Sequence, residues 1–327
     1  MNPYFSVLIP AYNQVGKMDE CIESLNKQTF TDFEVIMVND GSTDETEKML
    51  KEFCQKDSRF RTYSNEKNGS LIVARFTGME NALGKYIFLL DSDDYIESDA
   101  FETLHDELEK NPVDILRFGH VSEPSGDVML PYHTEDPLAA FMDLQMPPAV
   151  WRNCYSASVI KEALRKGKRF YCNMGEDSYF SSLFFSCAKS FGVLDKVLYH
   201  YVTGNGMSTT TAASSMSKLK KEYESMKISG ENICDFIDKY NPDYSEKARR
   251  AVRHMYRYIL VQNILFAPSM KEAVEFCTFF KDEGIDSVYE FGTNVMLPYR
   301  VKMELKMTQE AFKDIELDNL LEVVREK

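Results

Sequence analysis

Asp91, Asp93 and Asp94 place three carboxylates within four residues, directly after the apolar run Tyr86-Ile87-Phe88-Leu89-Leu90. Like charges this close repel one another. A divalent cation relieves the repulsion, and Mg²⁺ or Mn²⁺ held by one or two carboxylates completes its shell with water and substrate phosphates. The apolar run is too short for a globular helix and too uniform for a half-exposed strand, which predicts a central strand buried on both faces. Open α/β sheets bind ligands at the carboxyl ends of such strands. A polar turn is the alternative, because Asp and Ser favour turns and caps. A calcium loop is excluded: Glu102 stands twelfth counting from Asp91, but Ile96 occupies the sixth position, where glycine is needed, and Tyr95 the fifth.

Other polar residues sit where chemistry and structure both offer a reading. Asp40 ends a second strand, Glu34 to Asn39, directly before Gly41, which suits a ligand-facing carboxylate or a turn. Asp44 suits the cap of the next helix. Arg75 interrupts an otherwise apolar helix face and could reach solvent along its stem. Glu176 and Asp177 precede Phe180, Leu183, Phe184 and Cys187 at helical spacing, so they stand at a helix start, where acid complements the dipole. Trp151, the only tryptophan, is followed by Arg152 and Asn153. An exposed indole there would suit a sugar face, and a core position is the alternative.

The elements that would position these groups alternate. Phe5 to Ile9 reads as a strand stopped by Pro10, Lys17 to Gln28 as a helix, Glu34 to Asn39 as a strand, and Thr46 onward as a helix. Phe60 to Ser64, Leu71 to Ala82 and Tyr86 to Leu90 continue as strand, helix and strand. Such alternation implies an α/β fold with a mostly parallel sheet. Asp99 to Glu109 follows as a helix, Asp114 to Gly119 as a strand, a polar stretch through Asp136 as an insertion, and Val193 to Tyr201 as a strand bearing His200. Thr203 to Ser217 is rich in Gly, Ser and Thr and reads as a mobile loop or lid. Beyond it the pattern is helical from Leu219 to Tyr240, Ser245 to Phe266 and Met270 to Gly284, with a charged segment from Thr308. The expected division is 1–215 and 216–327.

With 327 residues, 44% hydrophobic and 28% charged, the chain can bury a large core. Its net charge of −14 argues against a nucleic-acid surface, so a phosphate ligand needs a metal or local cations. No apolar run approaches the ~20 residues of a membrane span, and the N-terminus lacks the features of a signal peptide. A cytoplasmic protein is expected, with the inner membrane face as a possible site of work. Cys21, Cys54, Cys154, Cys172, Cys187, Cys234 and Cys277 form no C-x-x-C pair, which speaks against disulfides or zinc. The absence of a Walker A loop, a G-x-G-x-x-G after the first strand and an H-E-x-x-H removes three further enzyme classes.

Taken together, VLIPAYN (Val7 to Asn13), VNDGSTD (Val38 to Asp44), Ala74-Arg75, Ala82 to Tyr86, DSDD (Asp91 to Asp94) and GED (Gly175 to Asp177) resemble, in order and spacing, family 2 of the inverting glycosyltransferases with a GT-A fold. The resemblance implies that Pro10, Ala11, Tyr12, Asn13, Asp40 and Arg75 frame the nucleoside of a sugar nucleotide. It implies that Asp91, with Ser92, meets the ribose, that Asp93 holds Mn²⁺ or Mg²⁺, and that Asp177 is the general base. Asp94, Glu176 and Trp151 then become candidates for sugar contacts. In several relatives a histidine beyond the E-D pair completes the metal shell, which makes His200 a candidate ligand beside its reading as an ordinary polar residue. The expected reaction moves a sugar from a nucleoside diphosphate, UDP foremost, to a hydroxyl of a glycan or lipid-linked acceptor. A metal-dependent nucleotidyltransferase and a catalytically silent sugar-nucleotide sensor or scaffold are the rivals. An oligomer or a membrane-edge contact through Met296 to Met307 stays open.

Overall fold

A computed structural model describes residues 2–203 and 214–308. Most of the expected lid and nearly all of the final charged segment therefore lie outside the described residues. The chain divides into two compact units, Met1–Thr210 with Ile228–Arg249, and Thr211–Lys227 with Arg250–Lys327.

The first unit begins as the sequence predicts: β1 (Phe5–Ala11), α1 (Asp19–Asn26), β2 (Phe33–Asn39), α2 (Thr46–Lys56), β3 (Phe60–Ser64), α3 (Ser70–Asn81) and β4 (Tyr86–Leu89). β5 (Tyr95–Ile96), α4 (Ala100–Lys110), β6 (Ile115–Glu123), β7 (Asp127–Met129), α5 (Pro137–Met142), β8 (Asn153–Ser156), α6 (Ala157–Lys166), α7 (Glu176–Cys187) and β9 (Phe191–Val202) follow. The sheet order is β3-β2-β1-β4-β8-β6-β9-β5, with β7 paired to β6. From β3 to β4 every pairing is parallel; β8 then enters antiparallel, and only β6 and β9 pair in parallel beyond it. The ligand-binding logic of a parallel sheet thus applies to the first half. Phe5, Val7, Ile9, Val35, Met37, Phe88 and Leu90 join Phe101, Leu104 and Phe118 in the core on one face.

β1 does not stop at Pro10. Leu8 accepts from the Leu90 N–H, so Pro10, two residues on, turns its nitrogen to the same side, past the last paired position with β4 at Leu8 and Leu89. No ladder bond is lost, and the strand runs on to Ala11 against Asn39. The polar stretch expected to be an insertion instead completes β6 and the β6–β7 hairpin.

One polar cluster fixes where β4 begins. Ser6 Oγ donates to Glu34 Oε1 at 2.6 Å and accepts from the Gly84 N–H at 2.8 Å. Glu34 Oε1 also accepts from the Leu83 N–H at 2.8 Å, and Arg61 pairs with its other oxygen. The turn from α3 into β4 is thereby tied to β1 through Ser6 and to β2 through Glu34.

The second unit is helical. It takes the first turns of α8 (Met216–Tyr240), most of α9 (Ser245–Leu265), then α10 (Met270–Asp282), α11 (Asp286–Phe291), a π-helical turn (Gly292–Met296) and α12 (Leu297–Thr308). Tyr223 packs edge-on against Tyr256, Phe279 and Phe280 at its centre.

A Cβ at residue 84 would lie 2.5 Å from the Ser6 nitrogen and 2.7 Å from the Phe5 carbonyl carbon, both backbone atoms that cannot swing aside. Gly84→Ala is expected to cost about 1–3 kcal/mol, read as a lowered denaturant midpoint with unchanged slope. An unchanged midpoint would show that the turn can shift.

Candidate active site

The parallel strands deliver their carboxyl ends to one edge, and Arg75 draws two of the acidic motifs together there. This residue sits on α3 and is 2% exposed. Nη1 donates to Asp177 Oδ1 at 2.6 Å and Nη2 to Asp91 Oδ1 at 3.1 Å. Nε is buried without a hydrogen-bond partner. Arg75 therefore does not reach solvent along its stem. Burial alone would lower its pKa, but Asp177 and Asp91 outweigh that and raise it, so it stays charged. Burial pushes the Asp177 carboxyl upward while Arg75 pulls it down, leaving it above its ordinary value. Burial and the Asp177 charge raise Glu176 as well, to about 7.

The turn that presents Glu176 and Asp177 is held from behind. Gly175 adopts φ 83, and its carbonyl accepts from Ser229 Oγ on α8 at 2.6 Å. Gly is the residue that takes such a conformation without strain.

The Asp40 region forms a second layer. Its backbone N–H donates to the Ala11 carbonyl at 2.9 Å, joining the ends of β2 and β1. Its carboxylate accepts from Asn65 Nδ2 at 2.7 Å and from the Gly69 N–H at 3.0 Å, so it secures the loop before α3. Gly41 lets that loop approach: a Cβ there would lie 2.5 Å from the Asn68 nitrogen. Asn13 lies at φ 53 and Ser70 at φ 73, left-handed conformations that non-glycine residues rarely hold. Asn13 Oδ1 accepts from the Thr43 N–H at 2.9 Å, and Ser42 Oγ accepts from the Asn13 N–H at 3.1 Å. Pro10 and Ala11 are buried, whereas Tyr12 is exposed beside them. Asp44 accepts from the Thr46 N–H at 3.0 Å, a turn bond ahead of α2.

In the DSDD loop the carboxylates have separate surroundings. Asp91 faces Arg75. Ser92 is buried. Asp94 accepts from Tyr199 Oη at 2.7 Å and from the Val202 N–H at 2.8 Å, both on β9. The Asp91 N–H donates back to Tyr199 Oη at 3.2 Å. Tyr199 thus pins both ends of the loop, a role no local pattern announces because 105 residues separate it from Asp94. Burial, then Asp91, raises Asp94 to about 8; the same two causes raise Asp93.

His200 faces elsewhere. Its Nε2 lies 3.0 Å from Glu97 Oε1, its Nδ1 lies 3.2 Å from Glu123 Oε1, and its ring stacks on Tyr95. Both ring nitrogens are thus occupied by carboxylates, so the pairing with Asp93 is not among its contacts. Among the described residues no three His, Cys, Asp or Glu side chains gather as a metal-binding group. Trp151 is 8% exposed and stacks on Tyr199 and Tyr201 at 4.6 and 5.1 Å, so it shows no open face to a sugar.

A parallel half-sheet with an acidic loop at its edge, continued by a mixed half and followed by a helical region, is the GT-A type of glycosyltransferase fold. The model of glycosyl transferase family 2 matches residues 6–172, and the chain belongs to that family. The uncharacterized glycosyltransferase EpsJ of Bacillus subtilis is 32% identical over 216 residues, covering 62% of this chain and 61% of EpsJ. The minor teichoic acid biosynthesis protein GgaB of the same organism is 30% identical over 292 residues, covering 85% of this chain and 32% of GgaB. The chain thus spans less than two thirds of either relative. The crystal structure of S. aureus TarS 1-349 in complex with UDP-GlcNAc superposes with a TM-score of 0.62 at 20% identity, covering 94% of this chain and 92% of that one.

A carboxyl whose pKa rises from 3.8 to about 8 on folding takes up protons with the fold, so its contribution to stability is full below the lower value and is lost as pH rises through the upper one. Asp94→Asn keeps an acceptor for Tyr199 but does not ionise. Without added metal, wild-type stability is expected to fall more steeply than that of the variant between about pH 4 and pH 8. Parallel curves from denaturant titrations would remove Asp94 as the source.

Proposed function

We propose that the chain is an inverting, metal-assisted glycosyltransferase that moves a sugar from UDP to a hydroxyl of a glycan or lipid-linked saccharide. The observation that carries this reading is Arg75 holding Asp177 and Asp91 together, which sets a candidate base beside the donor-binding loop. The UDP assignment draws on TarS, whose structures hold UDP-GlcNAc and UDP. The glycan acceptor draws on GgaB, a teichoic acid biosynthesis protein.

Asp40, Pro10, Ala11, Tyr12 and Asn13 frame the nucleoside, with Asp40 also securing the loop above it. Asp91 and Ser92 address the ribose. Asp93 has the donor chemistry for a hard divalent cation: burial and then the Asp91 charge raise its carboxyl, a cost that a bound cation would relieve. One carboxylate with the two phosphates of the donor suffices for Mn²⁺ or Mg²⁺, and a solved neighbour, a Pyrobaculum calidifontis mannosyltransferase, is described with GDP-Man and Mn²⁺. When bound, the cation stabilises the departing diphosphate. Asp177 takes the acceptor proton as the hydroxyl oxygen attacks the anomeric carbon from the face opposite the diphosphate. Arg75 keeps that carboxylate ionised and aimed. Asp94 supports the loop through Tyr199.

Asp177→Asn retains an oxygen for Arg75 and removes the base. Transfer from UDP-sugar is expected to fall ~10²–10⁴-fold while UDP-sugar affinity stays near wild type, with Glu176→Gln hurting less. Near-normal transfer by the Asn variant would overturn the base assignment. For the nucleoside, Asp40→Ala is expected to weaken calorimetric binding of UDP itself by about 1–3 kcal/mol, since it removes an acceptor and frees the loop. Equal affinity would return Asp40 to a purely structural role.

A further inference from the structure

The diphosphate is the most highly charged part of a sugar nucleotide, and on the donor reading above it must settle beside Asp91, Asp93 and Asp94, where like charge already accumulates. Positive charge has to meet it. The segments that form the site, 10–18, 39–45, 65–75, 91–97 and 167–177, hold five basic residues: Lys17, Lys67, Arg75, Lys168 and Arg169. Four of them are engaged or placed elsewhere. Arg75 is 2% exposed, and both of its terminal nitrogens face carboxylates. Arg169 pairs with Glu80, and Lys168 Nζ lies 3.4 Å from Asp235 Oδ2. The backbone of Lys67 lies against Gly41 in the Asp40 layer, at the nucleoside end. Thr203 to Ser217, the stretch that follows β9, contains no Lys or Arg.

Lys17 remains. It stands near the end of the loop from β1 to α1, two residues before the helix, and it is exposed without an ion pair among the described residues. Three contacts set that part of the chain against the acidic loop. β1 pairs with β4, so the loops leaving their carboxyl ends are neighbours. α1 packs on β5, which directly follows Asp94. Cys21, four residues after Lys17, places Sγ 3.8 Å from the Asp91 carbonyl oxygen. The Ile22 N–H donates to the Met18 carbonyl at 2.9 Å, so the chain is already coiling at Met18, and Lys17 precedes the Cys21 contact by about one turn. Burial and Asp91 raise the Asp93 carboxyl, and the Lys17 charge opposes them. A lysine suits phosphate as a compact point charge with three donors on a flexible stem. We infer that the Lys17 ammonium binds the diphosphate of the nucleotide donor, an assignment that rests on the donor reading above. The β1–α1 loop then recognises the nucleoside through Pro10 to Asn13 and the phosphates through Lys17.

The test titrates UDP and uridine separately against the full chain in the presence of Mg²⁺. Lys17→Ala is expected to weaken UDP about tenfold or more and to leave uridine within about twofold, because only UDP carries the phosphates. The loss should shrink as salt is added. Lys17→Arg keeps the charge and should recover most of the affinity, while Lys67→Ala should leave the ratio of UDP to uridine affinity unchanged. Lys17 is exposed, and an unchanged unfolding midpoint confirms that its variants fold. Equal UDP affinity in wild type and Lys17→Ala overturns the inference. So does an equal loss for UDP and uridine, which would give Lys17 a role in shaping the loop alone. A wild type that binds GDP in place of UDP moves the same comparison to GDP and guanosine, where the same outcomes decide. One that binds no nucleoside diphosphate overturns the donor reading itself, and this assignment with it.

Discussion

The site depends on one buried cation. Arg75 has left water inside the first unit, and a guanidinium in that position costs several kcal/mol unless opposite charge meets it. Asp91 and Asp177 meet it from a strand end and a helix start, 16 and 102 residues away in sequence. The arginine is thus a geometric requirement as much as an interaction. α3, the loop after β4 and the start of α7 must converge on it, and removing either carboxylate leaves positive charge poorly compensated in a place where water cannot repair it. Ser229 behind Gly175 and Tyr199 behind Asp94 extend the same demand outward, since each fixes the backbone that carries one of the acids.

The sheet makes the convergence possible. β1 lies between β2 and β4 with all three running the same way, so Pro10 to Asn13, Asp40 and Asp91 must emerge at one edge. Burial of these strands on both faces leaves no freedom to slip the register without exposing a core face. The left-handed conformations of Asn13 and Ser70 occur at this same edge. Strain is affordable there because the surrounding ladders over-determine the loops.

Legibility followed the range of the interaction that decides each feature. β4 was readable because five adjacent apolar residues ending in acid constrain the strand and its exit locally. The helices from Met216 to Asp282 were readable from their periodicity, within a few residues at each end. β8, four residues long and antiparallel to both neighbours, was not, because its place comes from Cys154 and Tyr155 packing between β4 and β6. Pro10 carries on the strand for a related reason: whether a proline breaks a strand depends on whether its missing N–H faces a partner, and β4 ends before it. Tyr199 had no signal at all. Its stretch reads simply as a strand, and only the folded chain shows its hydroxyl between the Asp91 backbone and the Asp94 carboxylate.

The opposed influences on Asp177 bear directly on the proposed chemistry. A carboxylate buried among Glu176 and Asp91 with no cation nearby would hold its proton at neutral pH and could not act as a base. One fully paired with arginine in the open would be ionised but weakly basic. Here burial raises the proton affinity and Arg75 limits the rise. General bases work best with a pKa near the working pH; at Asp177 burial and Arg75 act in opposite directions, with a net rise above the ordinary carboxyl value. The arginine on which the site converges is then also the group that opposes protonation of the proposed base.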